Sequence, residues 1–177
     1  MATDYLVLSA LGNDRPGIVD QLARAASASG CNIEDSRMSV MGGEFAVLML
    51  VSGSEAAIAA MEKACPSVGK ELDLALLTRR TRPKPRQAAA RPYRIEVSAL
   101  DQPGLVHELA NFFASRHINI ESLDTSTYAA PHTGSQMFAL AMTVNVTADT
   151  PVAGLRETFL DHCDARNLDA SFEAARP

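Results

Sequence analysis

A chain of 177 residues is long for one compact domain and comfortable for two small ones. Its 47% apolar residues can build a core, but only 5% are aromatic and Trp is absent, which excludes an aromatic stacking platform for single-stranded nucleic acid. The net charge of −5 argues against non-specific binding to DNA or to an acidic membrane surface.

The first ten residues, MATDYLVLSA, carry no basic stretch ahead of their apolar run and do not read as a secretory signal. DYLVLSAL, residues 4–11, reads as a strand that stops at Gly-Asn. From Pro16 to Gly30 the apolar residues Val19, Leu22, Ala23 and Ala26 fall at helical spacing, and Gly30 stops the helix. NIEDSRMSV, 32–40, alternates and has a polar side, as an edge strand would. Gly42-Gly43 marks a tight hairpin. EFAVLMLV, 44–51, is apolar throughout, as a central strand can be; it is also the longest apolar run and is far too short to span a bilayer. Residues 54–65 form a second predicted helix with Ser54 as N-cap, Ala57, Ile58 and Met61 on one face, and Pro66 as its end. ELDLALL, 71–77, closes the set.

The same order then recurs at 93–100, 103–117, 119–128, 135–147, 151–166 and 168–174. A shift of 87 residues superposes Pro16-Gly17 on Pro103-Gly104 and Asn32-Ile33-Glu34 on Asn119-Ile120-Glu121 without a gap between them. A repeat this long means two copies of one domain. The expected fold class is α+β: two ferredoxin-like βαββαβ domains, each an antiparallel four-stranded sheet with two helices on one face. The predicted boundaries are 1–79 and 93–177. Between them lies RTRPKPRQAAARP, residues 80–92, a basic, Pro-rich segment read as an extended linker. By count the three parts carry −4, +5 and −6, with the linker positive. The first copy's strands at 4–11 and 44–51 are apolar on both sides where the second copy's last strand alternates cleanly. The helix-free face of the first sheet is therefore expected to be covered, by the second domain or by another subunit.

Asp14-Arg15-Pro16-Gly17 stands between the first strand and the first helix. Pro suits the first helical position, whose N–H would be unpaired anyway. Gly there is poorer than Ala, yet both copies carry it, and its missing Cβ lets another molecule approach the backbone. A helix N-terminus attracts an anion. With neither several glycines nor a Lys for a phosphate loop, a small carboxylate fits best, with Asp14 or Asp101 for an ammonium and Asn32 or Asn119 to donate and accept. Each of these residues also has an ordinary structural use in a turn or helix end.

Asp-Arg-Pro-Gly-Ile-Val with Gly-Cys-Asn-Ile-Glu, and Asp-Gln-Pro-Gly-Leu-Val with His-Ile-Asn-Ile-Glu, resemble ACT domains, the βαββαβ amino-acid-sensing modules. The resemblance covers nearly all of the chain outside the linker. It implies a ligand at an interface between two such domains, held by the strand-to-helix loop. By position the ligand-binding residues would be Asn13, Asp14, Arg15, Gly17, Ile18 and Asn32 in the first copy, and Asp101, Gln102, Gly104, Leu105 and Asn119 in the second. Leu100 replaces the polar Asn13 and Gln102 replaces Arg15, so the two sites can differ.

A chain of two such domains at this length resembles ACT-domain regulators, and that resemblance further implies a cytoplasmic bacterial transcription regulator of the glycine cleavage system. It would have no DNA-binding domain of its own, glycine as effector, a LysR-type activator as protein partner, no direct contact with nucleic acid or membrane, and a homo-oligomeric state. A free-standing regulatory subunit of an amino-acid biosynthetic enzyme would use the same fold and pocket. The cysteines Cys31, Cys65 and Cys163 lack any zinc spacing and read as free thiols in a reducing cytosol. The four histidines make no metal motif, and no Gly-x-Ser-x-Gly is present. A non-enzyme without cofactor or metal is expected.

Overall fold

The structure, a computed structural model, describes residues 3–82 and 90–175. It divides into two units, Met1–Pro85 and Arg86–Pro177. In the first, β1 (Asp4–Asn13), α1 (Ile18–Ala28), β2 (Asn32–Met41), β3 (Glu44–Gly53), α2 (Glu55–Leu72) and β4 (Leu74–Thr81) follow in order. In the second, β5 (Ala90–Leu100), α3 (Leu105–Ala114), β6 (Asn119–Ala129), β7 (Gln136–Thr147), α4 (Val152–Asp164) and β8 (Asp169–Ala174) repeat them. The sheets are antiparallel with orders β2-β3-β1-β4 and β6-β7-β5-β8. This is the expected ferredoxin-like arrangement, with β2 and β6 at open edges.

Each unit has its own core. Leu6, Leu8, Val47, Met49 and Val51 of the first sheet pack on Ile18, Leu22, Ile58 and Met61 of the helices. In the second, Ile95, Val97, Leu140 and Val144 pack on Leu109, Phe113 and Phe159. The buried stripe of α1 is Ile18, Leu22 and Ala26, one turn apart each, while Val19 is 44% exposed. α1 begins at Ile18 and not at Pro16, and its buried stripe holds Ile18 in place of Val19, because Ile18, Leu22 and Ala26 at i, i+4 and i+8 share the face turned to the core.

Two further expectations are corrected. Pro66 does not end the second helix: α2 runs through it to Leu72, and Asp73 closes it in the left-handed conformation (φ 55°). Gly69 and Leu72 bury the added residues, Gly69 beside Leu74 and Leu76 of β4, and that packing outweighs the lost N–H bond. The basic segment is also shorter than 80–92, since β4 takes Arg80 and Thr81 and β5 takes 90–92. Both ends pair with a core strand, β4 with β1 and β5 with β7. Arg80 is held on the helix side of the sheet by Glu55 (2.7 Å) and Glu62 (2.8 Å) of α2. Residues 83–89 lie outside those described.

Candidate ligand site

The chain leaves β1 at Asn13, and the N–H of Asp14 donates to the carbonyl of Gly43 (3.2 Å), which ties the loop to the β2–β3 hairpin. Asp101 does the same with Gln136 (2.9 Å). Pro16 then leads into Gly17, whose φ of 94° and ψ of −5° belong to the third position of a type II turn. Gly17 is the N-cap of α1, and Gly104 (φ 97°, ψ −10°) is that of α3. The duplicated glycine is therefore required first by a left-handed backbone, which a Cβ disfavours. Pro16 and Pro103 sit before the cap and not at the first helical position.

The turn also leaves the helix starts free. Neither helix has a side chain capping its N-terminus, so first-turn N–H groups of both keep no side-chain partner. A Cβ built on Gly17 would meet only Gln21 Nε2, at 3.9 Å, and one on Gly104 nothing within 4 Å. Asn13, Asp14, Arg15 and Gly17 are all exposed, as are Asp101, Gln102 and Gly104. Ile18 (2% exposed) and Leu105 (3%) turn their side chains into the cores, so each can offer a ligand only its backbone. Arg15 reaches the carbonyl of Glu71 (3.4 Å) at the end of α2, a contact Gln102 does not reproduce.

The asparagines stand elsewhere. Asn13 pairs with Glu44 and Asn32 with Ser52, eight residues farther along β3, roughly 27 Å at the strand rise. Leu100 pairs with Met137 and Asn119 with Asn145, the same separation along β7. Within one domain the loop and its asparagine occupy opposite ends of the sheet and cannot hold one small molecule between them. Asn119 lines a groove of about 470 Å³ with His107 and Asn111, between α3 and the start of β6.

The glutamate of each Asn-Ile-Glu carries a feature that sequence reasoning passed over. The β2–β3 register shifts between Ile33 and Asp35, and the β6–β7 register between Ile120 and Ser122, so Glu34 and Glu121 occupy β-bulges. The Ser52 hydroxyl donates to Glu34 at 2.5 Å and the Asn32 amide at 3.1 Å. The Ser52 bond first, and the Asn32 bond after it, hold this carboxyl below its usual range. In the second unit the Asn145 amide donates to Glu121 at 3.1 Å. The repeated glutamate was the available signal; the bulge that frees it from the ladder was not.

Cys31, Cys65 and Cys163 are free and buried. Burial pushes all three thiols up, Cys163 to about 11, the opposite of an activated nucleophile. Among the described residues no three or more His, Cys, Asp or Glu are grouped to hold a metal ion. No helix of the described residues is long and apolar enough to cross a membrane.

Two βαββαβ units, each opening its first helix on a left-handed glycine, are the architecture of a tandem of ACT domains, and the ACT domain model matches residues 4–78 and again 93–138. The glycine cleavage system transcriptional repressor of Escherichia coli strain K12 is 36% identical over 167 residues, covering 94% of this chain and 88% of that protein. The crystal structure of a candidate glycine cleavage system transcriptional repressor is 33% identical with full coverage of both chains and a TM-score of 0.73. A protein of unknown function from Galdieria sulphuraria matches at 28% identity and a TM-score of 0.78, over 99% of this chain and 100% of that one. The chain belongs to the ACT-domain family, in the tandem form it shares with the glycine cleavage system transcriptional repressors.

Proposed function

We propose that this protein is a non-enzymatic transcriptional regulator of the glycine cleavage system, that it senses a small amino acid, glycine, and that it works in the cytoplasm through a protein partner, a LysR-type activator, and not by touching DNA itself. The observation that carries the reading is the pair of uncapped helix starts beside Gly17 and Gly104, open to solvent in both domains of a chain from this family. Free N–H groups at a helix start suit a carboxylate. Asp14 and Asp101, exposed in the same loops, suit the ammonium. The smallest amino acid needs no side-chain pocket, and open backbone is what the loops offer.

The distance between loop and asparagine gives the site its form. A ligand touched by both needs the loop of one ACT domain and the β2-type strand of another. The open edge of β2 permits this: antiparallel pairing of two such edges lays the Asn32 end of one strand beside the hairpin end of the other, where the loop sits. Met38 and Val40, 56% and 49% exposed on β2, give that edge apolar surface to bury. Ligand and edge pairing would then stabilise each other, and the amino acid would shift the population of paired domains that the partner recognises.

Titration calorimetry of the full chain against glycine and the other amino acids tests the sensing. The expected result is binding of glycine that Gly17→Val and Gly104→Val together abolish while the circular dichroism stays folded. Absence of heat for every amino acid would remove the sensor. Regulation is tested separately by a glycine-cleavage promoter reporter in cells lacking the gene; unchanged expression with and without glycine would remove that half.

A further inference from the structure

The function above makes no use of the helix-free face of the first sheet. Register sets its residues in rows across β2, β3, β1 and β4: Asp35, Leu50, Val7 and Arg79, then Arg37, Leu48, Ser9 and Leu77, then Ser39, Ala46, Leu11 and Ala75. Leu6, Leu8, Ala10, Val47 and Met49 alternate with them into the core. Leu11, Leu48 and Leu77 are 52%, 54% and 73% exposed. At the matching positions of the second sheet stand Ser98, Ala141 and Ser171, among Arg94, Glu96, Asp124 and Glu173. Its exposed apolar residues on this side are confined to the hairpin end, at Leu100 and Tyr128. One fold thus carries a polar face and an apolar one, so the leucines are a choice of sequence and not a demand of the architecture.

We propose that this face is a homodimer interface, occupied by the same face of a second copy of the chain. Three observations select that occupant. A charged face like that of the second sheet would lose the hydration of its carboxylates against leucine with nothing in return. The two margins of its first row are also complementary in charge. A half-turn about an axis parallel to the strands lays β2 of one copy over β4 of the other and β3 over β1, row upon the same row. Asp35, an acid at one margin that also lies 3.6 Å from Arg37 of its own copy, then meets Arg79 of the second copy at the other, twice by symmetry, while Leu50 meets Val7 and Ala46 meets Leu11 between them. Shape agrees with charge. Leu77, the most exposed of the three leucines, falls opposite Arg37, beside a depression of about 210 Å³ lined by Val7, Asp35, Arg37, Leu48 and Leu50. Four strands of eight to ten residues give each copy a plan area of about 600 Å², enough for an interface at the small end of the specific range.

Sedimentation velocity on the full chain from about 1 to 100 µM tests this without reference to any ligand. The expected result is a dimer that L48E/L77E makes monomeric with unchanged far-ultraviolet circular dichroism. Asp35→Arg and Arg79→Asp should each weaken dimerisation roughly tenfold, and D35R/R79D should restore it. Ala141→Glu and Ser171→Glu, on the second sheet, should leave it intact. A wild-type chain that stays monomeric at the highest concentration, or a dimer that survives L48E/L77E, overturns the proposal. Failure of the double reversal to restore what each single one loses overturns the half-turn arrangement.

Discussion

Gly17 and Gly104 each answer two demands with one missing atom. The left-handed φ of 94° and 97° at the N-caps is accessible to an L-residue only with strain, and the space a Cβ would fill is open. These demands separate by experiment. Gly17→Ala should lower the stability of the first domain by about 1–2 kcal/mol from backbone strain alone, read as a shift of its thermal transition. A loss near zero would mean the turn relaxes readily and that the glycine is kept for another reason. Spacing shows where Gly is repeated, whereas a dihedral angle comes only from the closed turn.

The helix pair of the second domain contains a pH-sensitive contact. His162 of α4 packs on Phe112 of α3 with ring centroids 5.2 Å apart, and its Nε2 is buried without a partner. Glu108 of α3, ion-paired to Arg166 just beyond the end of α4, and Arg116, stacked on Phe112 at 3.8 Å, surround it. Burial first, then the Arg166 charge, lowers the pKa of this imidazole, with Glu108 opposing. A base whose folded pKa lies below its unfolded one contributes stability in full above about pH 6.5 and loses it as the pH falls from there towards the folded value. The second domain's melting temperature should therefore drop as the pH falls below about 6.5, before the carboxylates titrate, and His162→Phe should flatten part of that slope. All four histidines lie in the second domain, so the first should hold steady over the same window. An equal slope in wild type and H162F would rule the contact out.

At the scale of the molecule, separate cores make separate folding units. Phe159 is fully buried in the second core, against Phe112, Phe113 and Phe172. Phe159→Ala should destabilise that domain by about 3–5 kcal/mol and leave the first domain's transition where it is, as calorimetry would resolve. A shift of both transitions by the same amount would show that the two units unfold as one. Two surfaces remain for assembly in the first domain, the β2 edge and the leucine-bearing sheet face. They lie on different sides of the same sheet, so a ligand-linked pairing and a constitutive one can coexist.

Much of this was already written in the order of residues. A repeat of 87 positions fixes two like domains, short apolar or alternating runs mark the strands, and the βαββαβ order fixes the sheet topology, because local periodicity and chain connectivity are properties of sequence. Only the folded chain decided the rest. α2 runs through Pro66 because burial on β4 outweighs a local helix breaker. Glu34 leaves the ladder because the register shifts beside it. The loop and the asparagine of each copy, nineteen residues apart in both cases from Asn13 to Asn32 and from Leu100 to Asn119, end at opposite ends of one sheet. The helix between them returns the chain along the length of the sheet, and proximity in sequence says nothing of direction in space.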